Sequence, residues 1–323
     1  MKSKFLWLVT CGLLLIYSFS QVDLNLTLSS NSIYQSLQHQ LTYLGYFNRP
    51  FSTAIYVFLI LLLAIGYTLL TNFRHVWLAI ALTVLVLLPS YPAFSHDIFN
   101  YMFDARIVTK YQLSPWSYKA LDFPDDTWIR FMRWTHRPTV YPPVWIGLSL
   151  IPSILGLGKF TLTLLLFKAV AAGFYVGCCK LISKLNPHAL SLFAFNPLVI
   201  IETLVNGHME IAMAFFGLLA IYLIRRKLAR WVSFITSIGI KYMTVFLLPA
   251  MINQKYLRQS IWLGIVLLIA WVIYYGFQPW YLLWVLPFSY LLSLKSWEVK
   301  ILSLASIIAL FWNVPFIYGL KPW

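Results

Sequence analysis

Two aspartates seven residues apart, Asp97 and Asp104, lie in the stretch SHDIFNYMFDAR, directly after the apolar run VWLAIALTVLVLLPSYP. If residues 96–110 form an amphipathic helix at the membrane surface, both carboxylates fall on one stripe of that helix. A carboxylate at the edge of a low-dielectric region resists ionisation, and this raises its pKa toward the range of a useful general base. The structural alternatives are that Asp97 caps the helix and that Asp104 pairs with Arg106 or Lys110.

A second group of ionisable residues lies in NPLVIIETLVNGHMEIAM, where Glu202 is followed by His208 and Glu210. Ionisable side chains at membrane depth are costly to bury, and they are therefore functional candidates. Asn206 is expected to cap the next helix, so that the free N–H groups of its first turn face an anion. For Glu202 the structural alternative is that it ties two helix ends together.

Two further cationic features stand out. Lys241 is a lone ammonium within the apolar run WVSFITSIGIKYMTVFLLPAMI. It either extends to the membrane interface or neutralises the phosphate of a polyprenyl phosphate beside a membrane helix. The stretch RWTHRPTVYPP adds a basic and aromatic patch with Arg137 and Tyr141, which either binds substrate or anchors the protein to lipid headgroups.

The composition identifies the environment of these residues as a membrane. Hydrophobic residues make up 61% of the chain and charged residues 10%, against roughly 45–50% and 25% in soluble domains. The apolar runs approach the ~20 residues that a helix needs to cross a bilayer. Because the net charge of +15 comes from short Lys and Arg clusters between these runs, positive-inside topology explains it better than nucleic-acid binding. The three cysteines lie within apolar runs and are expected to be buried thiols.

Successive crossings must alternate in direction, and the basic loops between them must face the cytoplasm. These two conditions predict one transmembrane domain over residues 1–323, an all-α polytopic bundle of about ten to eleven helices. Residues 1–20 are interpreted as an uncleaved first helix rather than a signal peptide. The segment 93–158 is then external, and its proline-bearing part 141–158 lies on the membrane surface, because a crossing there would turn the basic RRKLAR outward. The crossings are expected at 5–20, 51–71, 76–92, 160–182, 188–205 and 208–224, as a hairpin at 231–252, as two helices within 260–294, and at 299–318.

Together these stretches resemble the GT-C superfamily of membrane glycosyltransferases, most closely the bacterial polyprenol-phosphate-mannose-dependent mannosyltransferases. The resemblance runs from about residue 76 to 294 and rests on five stretches in the family's order: SHDIFNYMFDARIVTKYQLSPW, YPPVWIGLSLIP, NPLVIIETLVNGHMEIAM, IKYMTVFLLP and QPWYLLWVLP. Met209-Glu210 stands where the family usually has Asn-Asp. The resemblance implies a GT-C-like bundle with external juxtamembrane helices in the first large loop.

The resemblance also implies a reaction, an inverting transfer of a mannose-like sugar from a polyprenyl-phosphate donor to a glycan or glycolipid hydroxyl. It would take place on the extracytoplasmic side of the plasma membrane, among membrane lipids and without nucleic acid or cofactor; metal dependence is left open. Asp97 would be the catalytic base. Donor-phosphate binding is assigned to Arg106, Arg137, His208 and Lys241, and sugar or acceptor binding to His96, Asp104, Tyr141, Glu202 and Glu210.

Two other functions use the same residue types. A transporter or flippase for a lipid-linked sugar would also need basic patches and membrane acids, but alternating access usually comes with related repeats, which the sequence does not show. A non-catalytic subunit of a cell-envelope complex is consistent with the short chain. An Asp97→Asn variant separates the three, because only the enzyme should lose turnover while it keeps donor binding.

Overall fold

The computed structural model describes residues 2–24, 26, 28–70, 75–292 and 295–320. Within these ranges the chain is helical, and its one β-bridge joins Lys119 to Pro138. The α-helices are α1 (Lys2–Ser18), α2 (Ser32–Tyr46), α3 (Arg49–Leu70), α4 (Val76–Leu87), α5 (Asp97–Thr109), α6 (Pro143–Leu155), α7 (Phe160–Leu185), α8 (Leu190–Ala194), α9 (Pro197–Val199), α10 (Glu210–Tyr222), α11 (Lys227–Ile240), α12 (Leu248–Ile252), α13 (Leu257–Tyr275), α14 (Leu286–Ser289), α15 (Ser296–Leu310) and α16 (Val314–Tyr318).

Shorter helical turns link these elements. The 3-10 turns are Phe19–Gln21, Ala120–Asp122, Thr127–Phe131, Pro187–Ala189, Tyr242–Leu247, Gln254–Tyr256, Pro279–Trp284 and Phe311–Asn313, and Ile200–Val205 is a π-helix. The predicted span ends at residue 71 and residue 294 lie outside the described residues.

Five helical segments in the described part of the chain are long and apolar enough to cross a bilayer. They are Lys4–Gln21, Arg49–Leu70, Phe160–Leu185, Gln254–Tyr275 and Trp297–Tyr318. This confirms an all-α polytopic membrane fold. The other apolar runs are a pair bent by 58°, Pro187–Ala194 with Pro197–Val205, and four shorter helices, Val76–Leu87, Pro143–Leu155, Glu210–Tyr222 and Tyr242–Ile252.

Local breaks explain why several predicted crossings are short. At the bend of the helix pair, Asn196 accepts hydrogen bonds from the N–H groups of the turn that Pro197 begins. This is a typical helix start, and it ends the preceding run. Lys241 is extended, with φ −157°, and separates α11 from the next turn, which agrees with the predicted hairpin break. Pro279 begins a short 3-10 turn where a second long helix was expected within 260–294.

Helix α5 begins at Asp97, one residue after the start predicted at residue 96, but it is enclosed by protein rather than resting on a surface. It packs on α6 and α7, and its aromatic residues Phe99 and Phe103 are 2% and 1% exposed. Phe99 stacks on Phe160 of α7 with 6.0 Å between the ring centroids. An amphipathic helix has one buried face and one exposed face. In α5 the buried residues lie on most sides of the helix, because neighbouring elements cover it.

The membrane-parallel helix predicted at 141–158 corresponds to α6. Pro143 begins it, where the missing N–H of proline is tolerated. Ile151, Ile154 and Leu155 are more than half exposed and give α6 an apolar outer face. Helix α7 contacts α5, α6 and α10. The beginnings of α5 and α10 therefore meet against the same long helix, and the candidate site lies at that meeting point.

Candidate functional site

The turn before α10 is shaped by Gly207. Its φ of +75° lies in the left-handed region, which is open to glycine and unfavourable for other residues. A Cβ at this position would lie 2.7 Å from Cδ1 of Ile98, the second residue of α5. The absence of a side chain at Gly207 therefore lets the turn approach α5 closely, and this approach brings His208 to Asp97.

Asn206 supports this turn in a way that differs from the predicted helix cap. Its Oδ1 accepts a hydrogen bond from the Phe94 N–H at 3.1 Å, and its Nδ2 donates to Glu202 Oε2 at 2.8 Å. Helix α10 begins several residues later without a side-chain cap. The side chain of Asn206 thus joins the segment before α5 to the π-helix that carries Glu202.

His208 is the centre of a cluster of acids. Its side chain is fully buried, and its Nε2 lies 3.2 Å from Glu202 Oε2. Its Nδ1 lies 3.7 Å from both Asp97 Oδ2 and Glu210 Oε2. The ring stacks on Trp280 with 4.5 Å between centroids. The structure therefore brings together Asp97, Glu202, His208 and Glu210, which the sequence analysis singled out in two separate stretches. The stacked Trp280 ring fixes the plane of the imidazole.

Lys241 extends this cluster. Its Nζ donates a hydrogen bond to Glu210 Oε1 and lies 5.1 Å from the centre of the Trp284 ring. The side chain of Lys241 remains 20% exposed, whereas that of Glu210 is 1% exposed. Because an ammonium has three donors, a partly exposed lysine can neutralise the buried carboxylate and still donate to a bound anion.

The carboxylate of Asp97 does not cap its own helix. The cap residue of α5 is His96, and Ser95 Oγ accepts the hydrogen bond from the Asp97 N–H at 3.2 Å. Burial raises the pKa of the Asp97 carboxyl, and the nearby His208 opposes that rise. The side chain of Asp97 is 20% exposed, so a half-buried carboxylate with a raised pKa faces the histidine.

His96 points to a different neighbour. Its ring packs near Phe99, with 6.0 Å between the ring centroids. Burial, with a smaller contribution from Arg133, lowers the pKa of His96 to about 4. At neutral pH this histidine is therefore uncharged.

Asp104 lies beside a pocket that also contains Arg137 and Tyr141. It is 6% exposed, and burial raises its pKa to about 7 although a hydrogen bond from Thr139 lowers it. The Tyr141 ring contacts that of Tyr101 edge to face at 4.9 Å. The structure thus places three of the predicted binding residues, Asp104, Arg137 and Tyr141, around one pocket.

Arg106 occupies a separate cluster. Its Nε lies 2.6 Å from Asp126 Oδ2, and Lys110 Nζ lies 3.0 Å from the same oxygen. The Arg106 guanidinium also stacks over Trp128 at 4.0 Å. The structural alternative of an Asp104 pair with Arg106 or Lys110 is therefore wrong, because Asp126 binds both cations.

This second cluster borders a cavity of about 420 Å³, which also has Ser153 and Ile154 in its wall.

The sequence patterns did not point to Asp126 as a site residue. A local signal exists, since Asp126 Oδ1 accepts a hydrogen bond from the Trp128 N–H at 3.0 Å, as Asp does at the start of a helical turn.

The acids around His208 are not arranged as a metal site. No group of three or more His, Cys, Asp or Glu side chains is placed to hold a metal ion among the described residues. The carboxylates around His208 surround the imidazole instead, and this arrangement suits proton transfer and charge stabilisation.

Comparison with known proteins gives one family match. The family described as alpha-(1->6)-mannopyranosyltransferase, N-terminal domain, matches residues 13–257, which is more than half of the chain. No curated protein and no solved structure matches. The matched range includes Asp97, His208 and Lys241, and the match confirms the resemblance to membrane mannosyltransferases. With this match on a polytopic helical fold, the chain belongs to the alpha-(1->6)-mannopyranosyltransferase family and is a membrane glycosyltransferase of the mannosyl-transferring type.

Proposed function

We propose that the protein transfers mannose or a similar hexose, with inversion, from a polyprenyl-phosphate donor to a hydroxyl of a glycan or glycolipid. The reaction would take place on the extracytoplasmic side of the plasma membrane. The observation that carries this proposal is the 3.7 Å approach of Asp97 Oδ2 to His208 Nδ1. It joins a half-buried candidate base to a cluster that also contains Lys241, a cation able to meet a phosphate.

In this reaction Asp97 acts as the general base. Its carboxylate takes the proton of the acceptor hydroxyl, the oxygen forms a bond to the anomeric carbon, and the bond from that carbon to the phosphate oxygen breaks. The polyprenyl phosphate leaves with the electron pair. Because burial raises the pKa of Asp97, its carboxylate is a stronger base than an exposed aspartate.

The family name extends the proposal to the linkage. An alpha-(1->6) product requires the primary hydroxyl on C6 of the acceptor sugar. An inverting enzyme forms an α linkage only from a β-linked donor. We therefore assign the donor as a polyprenyl β-hexosyl phosphate and the acceptor nucleophile as a hydroxymethyl group.

The departing phosphate would be stabilised by cations at the other end of the cluster. Lys241 keeps donors free beyond the one directed at Glu210, and His208 adds a second proton donor. Preorganised donors aimed at the developing charge are often the largest single contribution to catalysis. Arg137 lines the pocket beside Asp104, so we assign it to the sugar rather than to the departing phosphate. Arg106 is not assigned to the phosphate either, because Asp126 holds it.

The remaining residues have supporting roles in this proposal. Glu202 contacts His208 Nε2 and Asn206, so we assign it to orienting the imidazole rather than to binding sugar. Glu210 sets the position of Lys241. Trp280 holds the imidazole plane. Tyr141 and Asp104 remain candidates for sugar hydroxyls.

The test is an Asp97→Asn variant of the purified full-length chain. The substrates are a panel of polyprenyl-phosphate monosaccharides, with products detected by mass spectrometry. Loss of a general base lowers the rate by about 10²–10⁴-fold, while donor binding is retained. Asp125→Asn removes an exposed carboxylate in the same segment and should leave the rate unchanged. Wild-type turnover in Asp97→Asn would refute the role of Asp97, and preserved sugar flux without transfer would favour a transporter.

The sidedness of the reaction can be tested with the same segment. The native cysteines Cys11, Cys178 and Cys179 are buried and should not react with a label. A thiol introduced by Asp125→Cys is exposed, so labelling reports the position of this residue. A membrane-impermeant maleimide should label this variant in intact cells. Labelling that requires cell lysis would place the segment in the cytoplasm and contradict the proposed side.

A further inference from the structure

Asn100 is a buried polar residue that has no binding partner in the described part of the protein. It lies one helical turn after Asp97 on α5 and is 3% exposed. Neither Oδ1 nor Nδ2 of its side chain makes a hydrogen bond. Roughly 90% or more of buried polar groups in proteins have such a partner, and an unpaired amide in a core is costly. An unpaired amide at this place therefore indicates a ligand.

The side chain of Asn100 lines the pocket beside Asp104, together with Arg137, Thr139 and Tyr141. The cavity volume of this pocket is about 10 Å³, roughly the space of one water molecule. A single hydroxyl group fits this space, whereas a sugar ring does not. An amide both donates and accepts hydrogen bonds, and a carboxylate accepts them, so Asn100 and Asp104 together match the donor and acceptor of one hydroxyl.

Asn100, which lines this pocket, lies one helical turn after Asp97 on α5, whereas Lys241 is not among the residues that line it. Tyr141 lines the same pocket as Asp104, and its ring contacts that of Tyr101, four residues after Asp97 on α5, with 4.9 Å between the ring centroids. Lys241 contacts Glu210, beyond His208. With the donor phosphate at Lys241, the space next to Asn100 belongs to the acceptor.

We propose that Asn100 and Asp104 form a subsite that binds one hydroxyl of the acceptor pyranose and thereby directs its reacting hydroxyl to Asp97. This inference rests on the proposed function, because it requires an acceptor sugar at Asp97. Residues three apart on a helix have Cβ atoms about 5–6 Å from each other. The spacing of Asp97 and Asn100 thus suits two hydroxyl groups of one pyranose ring. Asn100 is a binding residue in this scheme, and Asp97 is the catalytic residue.

The first test is the Asn100→Leu variant, which removes both polar atoms and keeps the number and branching of the side-chain heavy atoms. Because the amide has no protein partner, its loss should not destabilise the fold, and the Tm in detergent should equal or exceed that of the wild type. The KM for methyl α-mannopyranoside should rise about tenfold, with an unchanged KM for a polyprenyl β-mannosyl phosphate. The control Asn253→Leu replaces an exposed asparagine and should change neither KM.

The second test identifies the hydroxyl that is bound. Wild-type protein should lose about tenfold in kcat/KM with one monodeoxy derivative of methyl α-mannopyranoside. Asn100→Leu should no longer distinguish that derivative from the parent sugar. An unchanged acceptor KM in Asn100→Leu, or a rise in the donor KM instead, would overturn the subsite while leaving the proposed transfer intact.

A binding measurement separates failure of the subsite from failure of the proposed function. If the wild-type protein transfers no hexose from any polyprenyl phosphate, the proposed function fails. Saturation-transfer NMR with methyl α-mannopyranoside then still tests the subsite on the full chain. Weaker binding of the sugar to Asn100→Leu than to wild type supports the subsite. Equal binding to both proteins, or no binding to wild type, overturns the subsite.

Discussion

Lys241 Nζ donates a hydrogen bond to Glu210 Oε1, and this contact links the residue that follows α11 to the first residue of α10. Glu210 is almost fully buried, while Lys241 retains some exposure. A buried carboxylate without its cation is strongly destabilising, whereas a neutral pair of similar shape is tolerated. The pair therefore has a structural role in addition to its place beside His208.

Removal of the ammonium alone should destabilise the protein. We expect Lys241→Met to lower the free energy of unfolding by about 3 kcal/mol, because the buried Glu210 carboxylate loses the ammonium that donates to it. The double variant Lys241→Met/Glu210→Gln should recover most of this loss but none of the transfer activity. Denaturant unfolding in detergent measures the first quantity, and product formation the second. Lys255→Met, at an exposed lysine, is the control; equal stability of the single and double variants would argue against the pair.

Gly207 and Ile98 set the distance between the two halves of the site. The left-handed φ of Gly207 costs a non-glycine residue roughly 1–2 kcal/mol, and a Cβ atom on this residue would lie 2.7 Å from Ile98 Cδ1. A methyl group there would push α5 away from the turn. The consequence is a longer separation of Asp97 from His208.

We therefore expect Gly207→Ala to lower both stability and activity. The free energy of unfolding should fall by about 2 kcal/mol from backbone strain and the clash together. The transfer rate should fall by at least about tenfold, because misplacement by 1 Å can cost up to 10²-fold. Gly173→Ala in α7 is the matched control, since among the described residues no atom outside the neighbouring backbone of α7 lies within 4 Å of its Cβ position. A Gly207→Ala protein with wild-type activity would show that the close approach of α5 is not required.

The sequence was most informative where chemistry and burial conflict. Asp97, His208 and Glu210 stood out because ionisable side chains at a membrane boundary need a reason to be there, and these residues meet in the structure. The start of α5 was also predictable to within one residue, at 96 against the observed Asp97, from the pattern that follows the apolar run. Local signals of this kind do not depend on the partner that a side chain finds in the fold.

Ion pairs and hydrogen bonds between segments that are distant in the sequence were not predictable in the same way. Arg106 was assigned to phosphate, but it is neutralised by Asp126 from a loop whose path no spacing rule gives. Asn206 was expected to cap a helix, yet its amide bridges Phe94 and Glu202. The enclosure of α5 likewise depends on tertiary packing, because periodicity describes which faces are apolar and not which elements cover them.

Asp104 provides a prediction with a defined pH range. Burial raises the pKa of its carboxyl from 3.8 to about 7 in the folded protein. The folded state therefore holds a proton that the unfolded chain releases near pH 3.8. The contribution of Asp104 to the free energy of unfolding is fully present below pH 3.8 and is lost as the pH rises through about 7.

An Asp104→Asn variant should lack this pH dependence, since an amide resembles the neutral carboxyl and does not titrate. Relative to wild type, its free energy of unfolding should be similar at pH 4 and higher by on the order of 3–4 kcal/mol at pH 8, at about 1.36 kcal/mol for each unit of pKa. Unfolding in detergent at several pH values measures the difference, with Asp125→Asn as a control for the lost charge at an exposed position. A constant difference between pH 4 and pH 8 would mean that the Asp104 carboxylate is stabilised in the fold as well as it is in water. In that case the nearby Arg137 would have to supply the compensation, and an Arg137→Met variant should then restore the pH dependence.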